Sequence, residues 1–159
     1  MLGVINASAG NLAPVFDAMV ERATRLCEAT CGHLLTYDGQ HVTPAAVRGT
    51  AEYTDYMRSV GLVSPGIDTP VGRALRGEPV VHIVDAREEE FYRSNEGFRE
   101  QADMGGFRSM LVVGLRQEDT FLGTLTVFRQ EVRPFSDKHI ALLRNFAAQA
   151  VIAMENAGS

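Results

Sequence analysis

The run Arg108-Ser109-Met110-Leu111-Val112-Val113-Gly114-Leu115-Arg116, the turn Gln117-Glu118-Asp119 and the run Thr120-Phe121-Leu122-Gly123-Thr124-Leu125-Thr126-Val127-Phe128-Arg129 decide how this chain is read. Both runs are dominated by β-branched and other apolar residues, and a short polar turn separates them, which predicts an antiparallel hairpin. In the second run Gly123, Leu125 and Val127 alternate with Thr124, Thr126 and Phe128. Successive strand side chains point to opposite faces, so one face is wholly apolar and the other is mixed. A pocket belongs on the mixed face.

Working outward, Ser136 caps a helix, with Phe135 before it and Ile140 after it in the arrangement of a hydrophobic staple. The helix runs from Asp137 to about Asn156, with Ile140, Leu143, Phe146, Ala147, Ala150, Val151 and Met154 on one stripe. A matching N-terminal helix carries Val15, Phe16, Met19, Val20, Ala23, Leu26 and Cys27 at steps of three and four, with Gly32 as its expected stop. Residues 1–10 show no period and are expected to be a loose lead-in to a single domain over 11–157. Between the long helices lie a hairpin turning at Asp38-Gly39, a polar helix over Ala51 to Ser59 and a Thr69-capped helix over Pro70 to Arg76. A strand over Val80 to Val84 follows, then a charged segment, Ala86 to Met104, expected to be a surface loop with a short helix. Strands in a run with long helices at the two ends predict an α+β fold, an antiparallel sheet covered on one face by the terminal helices.

Composition narrows the function. At 159 residues and 17.3 kDa the chain is large enough to bury about 70% of its unfolded surface. A net charge of −5 argues against a nucleic-acid surface, which needs clustered Lys and Arg. The richest apolar stretch, Ser109 to Leu115, stops at Arg116, short of the roughly 18 residues of a membrane span, and the N-terminus lacks the basic and apolar regions of a signal peptide. Two cysteines imply no disulfide framework, and a cytoplasmic setting is the simplest expectation. Cys27 and Cys31 lie four apart at the end of the first helix, facing the same side, and read as small buried hydrophobes. His33, His41, His82 and His139 are scattered, without the spacing of a metal site. Glu88-Glu89-Glu90 points in successive directions and forms no acid/base pair. No metal or cofactor is expected, and no catalytic constellation is present, so an enzyme is not expected either.

An ordered series of short motifs carries further information. Thr69-Pro70-Val71-Gly72-Arg73-Ala74, Gly77-Glu78-Pro79-Val80, Ile83-Val84-Asp85, Gly106-Phe107-Arg108-Ser109-Met110-Leu111, Leu122-Gly123-Thr124-Leu125, Pro134-Phe135-Ser136 and Phe146-Ala147-Ala148-Gln149-Ala150 together resemble a bacterial GAF domain. The resemblance spans about residues 11 to 157, with Gly114 standing where many members have proline. It implies a PAS-like sheet of five to six strands, with the terminal helices on one face and short helices and loops forming a pocket on the other. It also implies a sensory role within a larger signalling protein. Bilin-binding members use a pocket cysteine, which the central region lacks. Cyclic-nucleotide binders use an Asn-Lys, Phe and Asp-Glu pattern, of which only Asn95 and Phe98 are present, with Glu96 in place of the lysine.

The candidate ligand-contacting residues are Thr69, Gly72, Asp85, Phe107, Arg108, Ser109, Thr124 and Thr126. An anion could meet the free amides at Thr69, Val71 and Gly72, with Arg73 or Arg108 adding charge, although helix capping by Thr69 and close packing at Gly72 account for the same residues. Ser109, Thr124 and Thr126 suit either a pocket lining or a solvent-facing strand surface. Leu142, Ala148 and Ile152 form a second line on the last helix that suits a homodimer interface.

Glu155-Asn156-Ala157 resembles the start of a helical linker to a histidine kinase. The expected function is therefore a small-molecule-binding sensory domain that signals through dimeric helices to an attached output domain, a kinase or a cyclase. The alternatives are a ligand-free dimerisation module, its pocket filled by Phe107, Phe121 and Phe128, and a cyclic-nucleotide-binding domain of a cyclase or transcription regulator.

Overall fold

The computed structural model describes the backbone of residues 2–158 and the side chains of residues 12–157. Five strands, β1 (Cys31–Tyr37), β2 (Val42–Arg48), β3 (Val80–Ile83), β4 (Met110–Gln117) and β5 (Thr120–Phe128), form one sheet in the order β2-β1-β5-β4-β3. Every neighbouring pair is antiparallel. The helices are α1 (Leu2–Leu26), α2 (Ala51–Val60), α3 (Pro70–Leu75), α4 (Glu90–Ser94), α5 (Glu96–Gly105) and α6 (Asp137–Gly158). This is the α+β arrangement predicted, with the β4–β5 hairpin at its centre. α1 extends N-terminal of the start predicted at Asn11, and the packing of the expected loose lead-in lies outside the described residues.

Strand alternation divides the interior into two layers. Leu111, Val113, Leu115, Leu125 and Val127 face α1 and α6, where Phe16, Val20, Ala23, Leu143, Phe146 and Ala150 meet them. Met110, Val112 and Phe128 face the other way, against Tyr53 and Met57 of α2, Ala74 of α3 and Phe91, Phe98 and Ala102 of α4 and α5. The charged segment over Ala86 to Met104 is therefore more ordered than predicted. A 3₁₀ turn at Ala86–Glu88 leads into α4 and α5, with Phe91 and Phe98 packed edge to face, 4.8 Å between ring centroids. Its charges lie outward while these apolar residues close the second layer.

Three local expectations change. α1 ends at Leu26 rather than at Gly32, and Glu28 takes the left-handed exit at a φ of 52°. Gly32 lies inside β1, where a Cβ would stand 2.6 Å from Thr24 Oγ1 and 3.0 Å from the Thr126 carbonyl oxygen, so glycine lets the strand pass close to the helix. The first hairpin closes as a four-residue turn, with Asp38 Oδ1 accepting from the amides of Gln40 and His41. Cys27 and Cys31 lie in opposite layers, because Cys31 opens β1 instead of closing the helix. Burial raises both thiol pKa values, Cys27 to about 11, which leaves both thiols protonated and unreactive at neutral pH.

The junction between the sheet and the long helices is held by Arg129, only 1% exposed. Its guanidinium donates to the carbonyl oxygens of Cys27 (2.8 Å), Glu28 (3.0 Å), Arg133 (2.5 Å) and Pro134 (3.0 Å), and lies 4.0 Å from the centroid of the Phe135 ring. Replacing it strands several buried carbonyls at once. Arg129→Met is predicted to lower the unfolding free energy by on the order of 3 kcal/mol in urea titrations. Arg129→Lys should recover only part of that loss, because an ammonium lacks the planar fork.

Candidate functional site

The pairing register builds the floor of a cavity. His33 lies opposite Thr126 across β1–β5, and Thr126 lies opposite Val112 across β4–β5, so these three side chains share the face turned away from α1 and α6. Leu35 and Met110 extend that floor. α2 contributes Tyr56, Met57 and Val60 to the walls, the α2–α3 loop contributes Val63 to Gly66, α3 begins the third side with Thr69 to Val71, and α5 closes the fourth with Phe98 and Gln101. The cavity volume is about 260 Å³, just below the roughly 300–1,000 Å³ of most small-molecule sites.

The loop wall is fixed at both ends. Val42 and Val63 exchange backbone hydrogen bonds of 2.7 and 3.0 Å. At the other end the Thr69 hydroxyl donates to the Gly66 carbonyl at 2.7 Å and accepts from the Gly72 amide at 3.2 Å. A Cβ at Gly72 would stand 2.0 Å from the Gly66 oxygen, so glycine is what allows α3 to approach the loop. The Asn95 side chain, also on the cavity wall, caps α5 by accepting from the Phe98 amide at 2.9 Å.

The polar groups of the floor are His33 and Thr126. His33 is 2% exposed, and its Nδ1 pairs with the Tyr53 hydroxyl at 2.5 Å. Desolvation lowers the imidazole pKa from its ordinary 6.5 to about 3 and raises that of Tyr53 well above its usual value, so both are neutral. Thr126 is 1% exposed, yet its Oγ1 has no hydrogen-bond partner among protein groups; Thr124 Oγ1 shares that condition away from the cavity.

Of the eight residues predicted from sequence, Thr69 and Thr126 line the cavity, while Gly72 packs just behind it. The others serve the scaffold around it. Asp85 and Arg108 form a two-pronged ion pair at 2.9 and 2.8 Å, and Asp85 also caps the 3₁₀ turn through the Arg87 amide. Ser109 donates to the Val84 carbonyl at 2.6 Å and accepts from the Arg133 amide at 2.9 Å. Arg73 pairs with Glu78 at 2.9 and 3.0 Å, so neither arginine considered for an anion is free. Phe107 packs against Phe128 and Tyr53, and Phe121 packs against Tyr37. None of these three phenylalanines fills the cavity.

Sequence reasoning missed His33, Met57 and Gln101, while Asn95 and Phe98, noted there only as part of a cyclic-nucleotide pattern, both line the cavity. For His33 the signal was an alternating strand with a histidine on its inward side; for Gln101 it was a helical position three residues after Phe98 inside a charged run. Neither cysteine lines the cavity. Among the described residues no group of three or more His, Cys, Asp or Glu is placed to hold a metal ion, and no helix is long and apolar enough to cross a membrane.

The buried imidazole makes stability pH-dependent. The unfolded chain binds a proton at His33 near pH 6.5 and the folded chain only near pH 3, so stability is fullest above the first value and falls as pH drops toward the second. His82 acts in the same direction, because its Nε2 accepts from the Phe135 amide and burial lowers its pKa. From about pH 7 to about pH 5, His33 is expected to cost about 2 kcal/mol of unfolding free energy. His33→Gln should flatten that slope in urea titrations at the two pH values, leaving the part due to His82.

Comparison with known proteins agrees with this architecture. A family model described as a GAF domain matches residues 10–155. A search of curated protein sequences returned no match. Among solved structures, the blue-light absorbing form of the Thermosynechococcus elongatus PixJ GAF domain superposes with a TM-score of 0.77 at 16% identity, covering 94% of this chain and 88% of that one. The GAF domain of a phosphoenolpyruvate-protein phosphotransferase from Coxiella burnetii gives 0.76 at 15% identity, with coverages of 99% and 94%. A domain described as that of a two-component sensor histidine kinase protein from Sinorhizobium meliloti 1021 gives 0.69 at 20% identity, with coverages of 89% and 90%. With the model spanning nearly all of the sheet and both long helices, the chain belongs to the GAF domain family.

Proposed function

We propose that this chain is the sensory domain of a cytoplasmic bacterial signalling protein. It binds a small molecule in the cavity and passes the binding event through α1 and α6, paired in a homodimer, to an attached output domain such as a histidine kinase. The observation that carries this reading is the cavity on the sheet face opposite the long helices, with Thr126 on its floor, a buried residue whose hydroxyl has no partner among protein groups. A buried hydroxyl without a partner costs roughly 1–3 kcal/mol, a penalty that a ligand group can remove. The cavity remains open beside Phe107, Phe121 and Phe128, which favours a ligand-binding domain over a filled dimerisation module. Arg73 and Arg108 are paired with carboxylates, which weighs against the cyclic-nucleotide alternative. On α6, Ala148 and Ile152 are exposed and Leu142 is half-buried, leaving the first two available for a second copy.

Binding changes the output only if the ligand has different affinities for two arrangements of the helices. The sheet is a stiff partition between cavity and helices: Thr126 is flanked in sequence by Leu125 and Val127, which pack on the helix layer.

A fragment library of charged and uncharged members, read by the shift in unfolding temperature, tests the reading. Wild-type protein is predicted to be stabilised by a subset of fragments. Val71→Phe, which places a ring in the cavity wall, should abolish those shifts while keeping the circular-dichroism spectrum. Fragments that stabilise both proteins equally would contradict the cavity as the sensing site.

A further inference from the structure

The chemistry of the cavity wall points to a class of ligand. We infer that the site selects a small, uncharged, predominantly apolar molecule with a hydrogen-bonding group that pairs with the Thr126 hydroxyl beside His33. This rests on the reading of the cavity as the sensing site given above.

Three observations carry it. First, among the described residues that line the cavity there is no Asp, Glu, Lys or Arg. A charged ligand would leave water without a counter-ion, at a cost far above what one or two neutral hydrogen bonds return. Second, the wall is built from Leu35, Met57, Phe98, Met110 and Val112, whose apolar and polarizable surfaces suit an aromatic or alicyclic body. Third, the polar groups are all neutral: His33 and Thr126 stand together on the floor, while Tyr56, Ser64, Thr69, Asn95 and Gln101 are spread over the walls. His33 and Thr126 are cross-strand partners, His33 is engaged with Tyr53, and Thr126 Oγ1 is left with a donor and an acceptor to offer.

Electrostatics at the edge act in the same sense. Glu100 lies close enough to the Tyr56 phenol to help raise its pKa, after burial as the larger cause, and so places negative charge beside the cavity wall. Together with the net charge of −5, this disfavours an anion further. The volume of about 260 Å³ limits the ligand to roughly one or two rings' worth of atoms.

The test compares matched probes by protein-detected NMR titration: benzamide, phenol and indole as neutral molecules, against benzoate, phenyl phosphate and benzylammonium as charged ones. At least one neutral probe is expected to bind with an affinity roughly tenfold or more above that of every charged probe. Thr126→Val keeps the side-chain shape and removes the hydroxyl. It is expected to unfold at an unchanged or higher temperature and to weaken the best neutral probe by roughly three- to tenfold. Benzoate, phenyl phosphate or benzylammonium binding the cavity as well as the neutral probes would overturn the ligand class while leaving the sensing site standing. Equal affinity of the best neutral probe for wild type and Thr126→Val would overturn the assigned hydrogen bond. If none of the six probes perturbs a cavity residue, the ligand class and the proposed sensing site both fall.

Discussion

A buried guanidinium fixes the geometry on which the rest of this domain depends. Arg129 stands one residue beyond β5, on the central hairpin, and its donors reach the carbonyls that end α1 and those that precede α6. Backbone carbonyls at a helix C-terminus carry partial negative charge and lack intrahelical partners, so a cation there satisfies both needs. The backbone continues the connection: the Arg129 amide donates to the Ser109 carbonyl and its own carbonyl accepts from the Arg108 amide. Arg108 pairs with Asp85, and Ser109 reaches Val84, so the end of β3 is joined to the same knot. The orientation of both long helices relative to the cavity face is set at this one end of the sheet.

With that end fixed, the alternating faces of β4 and β5 do the remaining work. One face buries Leu125 and Val127 with their neighbours against α1 and α6; the other presents Thr126, Val112 and Met110 to the cavity. Gly123 lets β5 bend where its φ reaches 149° and a Cβ would stand 1.9 Å from the Leu35 carbonyl oxygen. A side chain there is incompatible with β1–β5 pairing. The cavity on one face and helix packing on the other are thus separated by the thickness of a single sheet.

The β4–β5 hairpin was legible because its pattern has period two and its turn is short, and α6 was legible because Ser136 caps it and Phe135 staples it. The pocket side was legible only in part. Thr126 stood out as a polar residue within an apolar run, whereas His33 looked like one of several scattered histidines until β1–β5 pairing set it beside Thr126. Asp85, Arg108 and Ser109 carry the polar chemistry that sequence reasoning associates with ligands, but three-dimensional pairing turns it to holding strand ends. Cys27 and Cys31 are separated by a helix-to-strand junction that spacing alone does not reveal. α4 and α5 were obscured because their many charges outweigh the few apolar residues that seat them.

The methionines offer a direct test of the proposed binding site. Met57 and Met110 line the cavity, Met19 and Met154 pack in the helix layer, and Met104 is exposed. In protein labelled at the methionine methyls, titration with a neutral probe such as benzamide is predicted to shift the Met57 and Met110 signals first and furthest. Shifts confined to Met104, or to Met19 and Met154, would contradict the account by placing the binding surface outside the cavity.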